Sequence, residues 1–171
     1  MMQDDTVRLT RWTKFMSQYS KLLTCLLLLA GLSSMAALAQ GTASIDRTAT
    51  PDKIVVQVNE DDPKGMNLAL NNVQNLVAYY KDKGEQVQIE VVAFGPGLHM
   101  LRQDTSPVKE RVTAIALASP QVQFSACSNT LTNMTKLEGN KPPLVSEAKP
   151  VIAGVARIVE LQKQGYIYLR P

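Results

Sequence analysis

The stretch KIVVQVNEDDPKGMNLALNNVQNLVAYYKDKGEQVQIEVVAF, residues 53–94, decides the fold. It opens on a short β-branched run (53–58), crosses a polar turn, and ends on a second β-branched run (87–94). Between them, Met66, Leu70, Val73, Val77 and Tyr80 stand at steps of four, three, four and three, which is one apolar face of an α-helix. A strand, a helix and a strand in that order make a crossover unit, which lays its two strands parallel.

The same alternation continues to the end of the chain. Strand-like runs recur at 122–126 (VQFSA), 149–153 (KPVIA) and 166–169 (YIYL), making five in all. Ser106-Pro107 reads as an N-cap and first-turn pair opening a helix over VKERVTAIALA. A short helix is expected from Asn129 to about Leu137, before the proline-rich loop EGNKPPLVSEAKP, and VARIVELQKQ forms a last helix stopped at Gly165. The fold class expected is therefore α/β, with a mainly parallel five-stranded sheet covered by helices on both faces.

Upstream of this domain the chain changes character. Arg8, Arg11, Lys14 and Lys21 lead into an apolar run from Leu22 to about Leu32, which closes on Ala37-Leu38-Ala39 before Gln40. That is the layout of a secretory signal peptide over 1–39, with cleavage after Ala39 and a periplasmic or secreted product. The alternative is an uncleaved anchor, since Leu22 to Ala39 is long enough to span a bilayer. Met16 is an equally good start. Cys25 follows Thr24 inside the apolar run and does not make a lipoprotein site. Residues 40–52, polar and aperiodic, read as a flexible linker, and 53–171 as the folded domain.

Loss of the leader removes four cations together with Asp4 and Asp5, so the formal charge of +3 falls to +1. A near-neutral domain without a basic run gives no electrostatic case for nucleic acid or an anionic membrane. It also leaves Cys127 as the lone cysteine in an oxidising compartment, where a single thiol is shielded, paired between chains, or reactive by design.

In an open parallel sheet, ligands sit beyond the carboxyl ends of the strands. Four segments lie there: the one from Asn59 to Asn67, then GPGLH, CSNT and GVAR. Ser128 or Asn129 is an expected N-cap, so Cys127 stands at a helix N-terminus, where unpaired amides favour a thiolate. A reactive Cys127 must be reachable from solvent; a structural one is packed among apolar side chains. His99, the only histidine, is a candidate partner for the thiolate, or else a surface or packing residue. Asn67, Asn71 and Asn75 form one polar edge of the first helix, open to a ligand, a subunit or solvent, and Arg157 is a candidate anion contact or a surface ion pair. Glu60, Asp61 and Asp62 lack calcium-loop spacing, GPG lacks a phosphate-loop lysine, and one histidine with one cysteine makes no zinc site. No metal and no cofactor are therefore expected. NMT at 133–135 matches a glycosylation sequon, relevant only on a eukaryotic secretory route.

VVQVNEDDPKGMNLALNNVQNL, IEVVAFGPGLHML, VQFSACSNTL and GVARIVELQKQGYIYLRP together resemble the DsrE/DsrF-like family of YchN-type α/β domains, from about Lys53 to Pro171. The resemblance implies a three-layer αβα sandwich assembled into trimers or hexamers. It further implies a loop cysteine that passes persulfide sulfur between donor and acceptor proteins or small thiols, and Cys127 is the position that can hold that role. Asn59, Asn67, Asn129 and His99 are carried over as its neighbours. The expectation is a periplasmic sulfur-relay or sulfurtransferase-like protein; the alternative is a non-catalytic oligomeric binding module with a structural cysteine.

Overall fold

The computed structural model describes residues 50–171. The leader and cleavage site expected over 1–39, and the linker as far as residue 49, lie outside the described residues. The chain forms β1 (Asp52–Val58), α1 (Pro63–Lys83), β2 (Val87–Ala93), a 3-10 helix (Gly95–Leu101) and α2 (Lys109–Ala118). It continues through β3 (Val122–Cys127), α3 (Ser128–Glu138), β4 (Ala148–Val151), α4 (Gly154–Lys163) and β5 (Ile167–Leu169). Asp52, expected in the linker, already pairs with Val87 as the first residue of β1.

All five strands are parallel, in the order β4-β3-β2-β1-β5. The chain steps outward from β1 to β4 and then returns through α4 to place β5 on the other side of β1. Because side chains alternate across a strand, each strand feeds two cores. Ile54, Val56 and Val58 of β1, Ile89 and Val91 of β2 and Phe124 of β3 face the larger one. There they meet Met66, Leu70 and Val73 of α1, Val112 and Ile115 of α2, Leu131 of α3, and Leu98 and Met100 of the 3-10 helix. Each such burial contributes about 2 kcal/mol. The apolar face expected for α1 is the face that packs, with Val77 and Tyr80 half-buried at its end.

The opposite face carries α4 alone. Its buried apolar set is Val55, Val92, Ile158 and Leu161, with Phe94 and Tyr166 packed beside them. The helices thus lie on both sides of the sheet, as the αβα expectation requires, but very unequally.

Local chemistry explains where the elements begin. Asp62 caps α1, its carboxylate accepting from the amides of Lys64 and Gly65 at 3.1 and 2.9 Å. Ser106 does not cap α2, contrary to expectation. Its hydroxyl donates to the Met100 carbonyl at 2.7 Å and accepts from the Val108 amide at 3.2 Å, so it closes the 3-10 helix and the next helix begins at Lys109. The fourth strand stops at Val151, short of residue 153, because the Ile152 carbonyl accepts from the Asn129 amide of α3 at 3.2 Å. Among the described residues no helix is long and apolar enough to cross a membrane.

Candidate functional site at Cys127

α3 leaves β3 on the large-core face, while α4 leaves the adjacent β4 on the other face. Two neighbouring strands whose exits diverge in this way open a crevice at their carboxyl ends, and that crevice is the topological switch point of the sheet. Cys127 is the last residue of β3 and stands beside Val151, the last residue of β4. Of the four segments at the strand ends, the switch point selects two, CSNT with the thiol and GVAR beside it.

Cys127 is itself the N-cap of α3, in extended backbone, with its sulfur accepting from the Thr130 amide at 3.5 Å. A neutral thiol is a weak acceptor for such a bond, whereas a thiolate is a strong one. Besides that bond, the Asn129 and Gly154 amides and the Thr130 hydroxyl lie near enough to the sulfur to favour its ionised form. Gly154 is the first residue of α4. The sulfur therefore faces the positive ends of two helices, α3 and α4, and not only the one expected. Burial pushes the Cys127 thiol up; the hydrogen bonds from Thr130, Gly154 and Asn129 outweigh it and leave the thiol below its ordinary value.

The residue is only 5% exposed, less open than a freely reactive thiol requires. Its sulfur nonetheless accepts from the Thr130 amide and has further polar groups near it, which a purely apolar packing role does not call for. Among the described residues no three His, Cys, Asp or Glu side chains gather where they could hold a metal ion.

The other candidate residues are engaged elsewhere. Both ring nitrogens of His99 are occupied, Nδ1 against the Asp61 carboxylate at 2.6 Å and Nε2 against the Thr105 carbonyl at 2.9 Å. Neither bonds to Cys127. Asn59 accepts from the Gln57 side chain at 3.0 Å and lines a small pocket of about 80 Å³ with Glu60, Gly65 and Arg170, apart from the thiol. Glu60 pairs with Arg170 at 2.6 Å, so every carboxylate of the acidic turn at 60–62 has a partner. The Asn129 amide donates to the Ile152 carbonyl at 3.2 Å, and its side chain is on the exposed surface.

Asn67 and Asn71 accept from the Arg111 guanidinium at 2.6 and 2.8 Å, and Gln74 accepts at 2.8 Å. The polar edge of α1 is therefore a clamp onto α2. Arg111→Ala is expected to lower stability by about 1–2 kcal/mol, the range for charge-assisted bonds at a half-buried site. Urea denaturation would show it, and no change would return these side chains to the pool of ligand contacts. Arg157 is likewise committed, its Nε and Nη2 each donating to Glu90 at 2.8 Å. Thr130 and Gly154 were not anticipated. Thr130 was missed because the cap was expected at Ser128 or Asn129, and only a cap at Cys127 puts Thr130 three residues on, where the cap receives its bond. Gly154 was missed because its nearness to Cys127 depends on strand order.

No protein-family model matches the chain, and no curated protein matches it. Among solved structures it is similar to a protein of unknown function, MTH1491, from Methanobacterium thermoautotrophicum. The two are 36% identical over 70% of this chain and 99% of that one, with a TM-score of 0.59.

Proposed function

We propose, for a chain that belongs to the same family as that archaeal protein of unknown function, that it carries sulfane sulfur as a persulfide on Cys127. What supports the reading is the Thr130 amide bonded to the sulfur at the N-terminus of α3, with the first residue of α4 beside it at the switch point of the sheet. This environment favours the anion, and the anion is the attacking species in sulfur exchange.

The chemistry balances without an outside oxidant. The Cys127 thiolate attacks the outer sulfur of a donor persulfide, R–S–SH. The donor S–S bond breaks, R–S⁻ leaves with the electron pair, and Cys127 becomes Cys–S–SH. An acceptor thiolate then attacks that outer sulfur, takes it as its own persulfide, and returns Cys127 to the thiolate. The donors that favour the thiolate at rest also stabilise it as leaving group in the second step. Donor and acceptor are proteins or small thiols. The sulfur-relay role, the DsrE/DsrF-like kinship, the periplasmic address and assembly as a trimer or hexamer belong to this same proposal.

The test is intact-mass spectrometry of the purified domain after exposure to inorganic polysulfide or thiosulfate, and again after dithiothreitol. The expected result is a gain of one or more sulfur atoms that maps to Cys127, is lost on reduction, and is absent from Cys127→Ser. The 5% exposure favours a second reading, a binding module whose cysteine is structural. An unmodified thiol that resists alkylation until the protein is denatured would establish that reading and end the first.

A further inference from the structure

We infer that the open edge of β5, with the flank of α1 beside it, is the surface on which a second copy of this chain docks, the two β5 strands pairing antiparallel across a two-fold axis. The inference comes from a contrast between the two edge strands of the sheet, β4 and β5. Folded proteins guard an open edge with lysine, proline or a covering element, because its unpaired amides and carbonyls accept a strand from another molecule. β4 carries both guards, Lys149 and Pro150, and both are exposed. β5 consists of Ile167, Tyr168 and Leu169, all three exposed, with no charge and no proline among them.

Register says which way they point. Ile167 and Leu169 pair with Ile54 and Val56 of β1, so they share the large-core face of the sheet. Ile54 and Val56 are buried there, whereas Ile167 is 56% exposed. α1 leaves the same side open. Its Asn67, Asn71 and Gln74 flank is clamped to α2 through Arg111. The opposite flank carries Leu68, Asn72, Leu76, Tyr79 and Lys83, at steps of four, four, three and four, one row along the helix. Gly65 and Ala69 place that flank toward β5, since they line a pocket with Arg170 and Pro171. Leu68 and Tyr79 are exposed, and Leu76 is half-buried.

What fits this edge is its own copy. A two-fold axis through Tyr168 sets Ile167 opposite Leu169 of the partner subunit, apolar against apolar, and makes the contact close on itself. The same axis turns the two α1 helices antiparallel. α1 begins just after Glu60, Asp61 and Asp62, while Lys83 ends its exposed row and Asp82 stands off that row. Each acidic beginning therefore approaches the basic end of the other helix, and the helix dipoles are opposed in the same sense. Three residues of ladder do not hold a dimer by themselves. The α1 flanks must contribute most of the about 800 Å² that each partner buries in a stable pair. The inference stands apart from the thiol chemistry. A two-fold pair divides a hexamer and excludes a lone trimer.

Sedimentation of the purified protein over a range of concentrations tests it. Wild type is expected to sediment as a dimer or as an assembly of dimers. Ile167→Lys is expected to raise the dimer dissociation constant about a hundredfold, since each pair loses two buried isoleucines. Leu68→Lys, on the other element, should weaken the same pair and carries the test should the strand variant not fold. Val155→Lys is the control: Val155 is exposed on α4, on the opposite face of the sheet, and its replacement should leave the assembly unchanged. A wild type that is monomeric or trimeric overturns the inference and leaves the edge to residues before 50 or to a different protein. So does an assembly that Val155→Lys breaks and the other two variants leave intact, which would move the interface to α4. Sulfur uptake at Cys127 is read separately by mass, so either result stands without the other.

Discussion

Arg157→Ala is expected to destabilise the domain by about 3 kcal/mol, far more than a surface arginine would. Glu90 is 3% exposed and lies mid-strand under α4. Its carboxylate accepts two bonds from Arg157 at 2.8 Å and one from the Ser125 hydroxyl at 2.6 Å. Removal of the arginine leaves a buried carboxylate with a single hydroxyl, and breaking a buried pair from one side costs about 3–5 kcal/mol. The guanidinium side chain is 28% exposed, which places the expectation at the low end. The damage should concentrate in α4. That helix rests on Ile158 and Leu161 as its buried apolar anchors, so the ion pair is a large share of what holds it to the sheet. Urea denaturation gives the loss, and hydrogen exchange should find α4 amides opening first. A loss below about 1 kcal/mol would mean that water already screens the pair. Replacing both partners with leucine should recover part of the loss, since an apolar pair removes the stranded charge.

Gly97→Ala should be comparably damaging for a steric reason. A Cβ there would lie 2.5 Å from the Val58 carbonyl oxygen, 2.6 Å from its carbon and 2.7 Å from the Asn59 nitrogen. All three are backbone atoms at the end of β1, so no rotamer change relieves the overlap. The 3-10 helix must lift, and with it Leu98, Met100 and Leu101, which are fully buried. Overpacking of this kind costs about 1–3 kcal/mol, and a backbone neighbour places it at the top of that range or above. The helix also carries Gly95, so the bond from its amide to the Thr130 hydroxyl should loosen and alkylation of Cys127 should change with stability. Gly139→Ala is a useful control. Nothing lies within 4 Å of a Cβ at that position, and only its φ of +76° resists the change, so about 1 kcal/mol is expected. Equal effects at the two glycines, measured by thermal denaturation, would mean that backbone conformation and not contact governs Gly97.

The two substitutions bear on the site from opposite sides. Arg157 holds α4 down and so keeps the Gly154 amide against the sulfur. Gly97 lets the 3-10 helix approach β1 and so keeps Gly95 aimed at Thr130.

Residues 53–94 were sufficient to establish strand, helix and strand, and the later β-branched runs extended the pattern to five parallel strands. Periodicity records which side of an element is buried, and this chain buries what its periodicity marks, from Met66 and Val73 to Ile89 and Phe124. A helix N-terminus beside Cys127 was legible too, because Ser128 and Asn129 are capping residue types, although the cap falls one residue earlier, on Cys127 itself. The sequence could not reveal which strands are neighbours. Order β4-β3-β2-β1-β5 makes the β3 and β4 exits diverge, and only that divergence brings Gly154 of one helix to the cap of another. Pairings such as Glu90 with Arg157 or Asn67 with Arg111 join residues on separate elements, and no local pattern encodes them. Burial of Cys127 to 5% belongs to the same class. Local preference acts within a few residues and can be read from them, whereas the polarity of a site is the sum of groups that meet only once the sheet has closed over its long-range contacts.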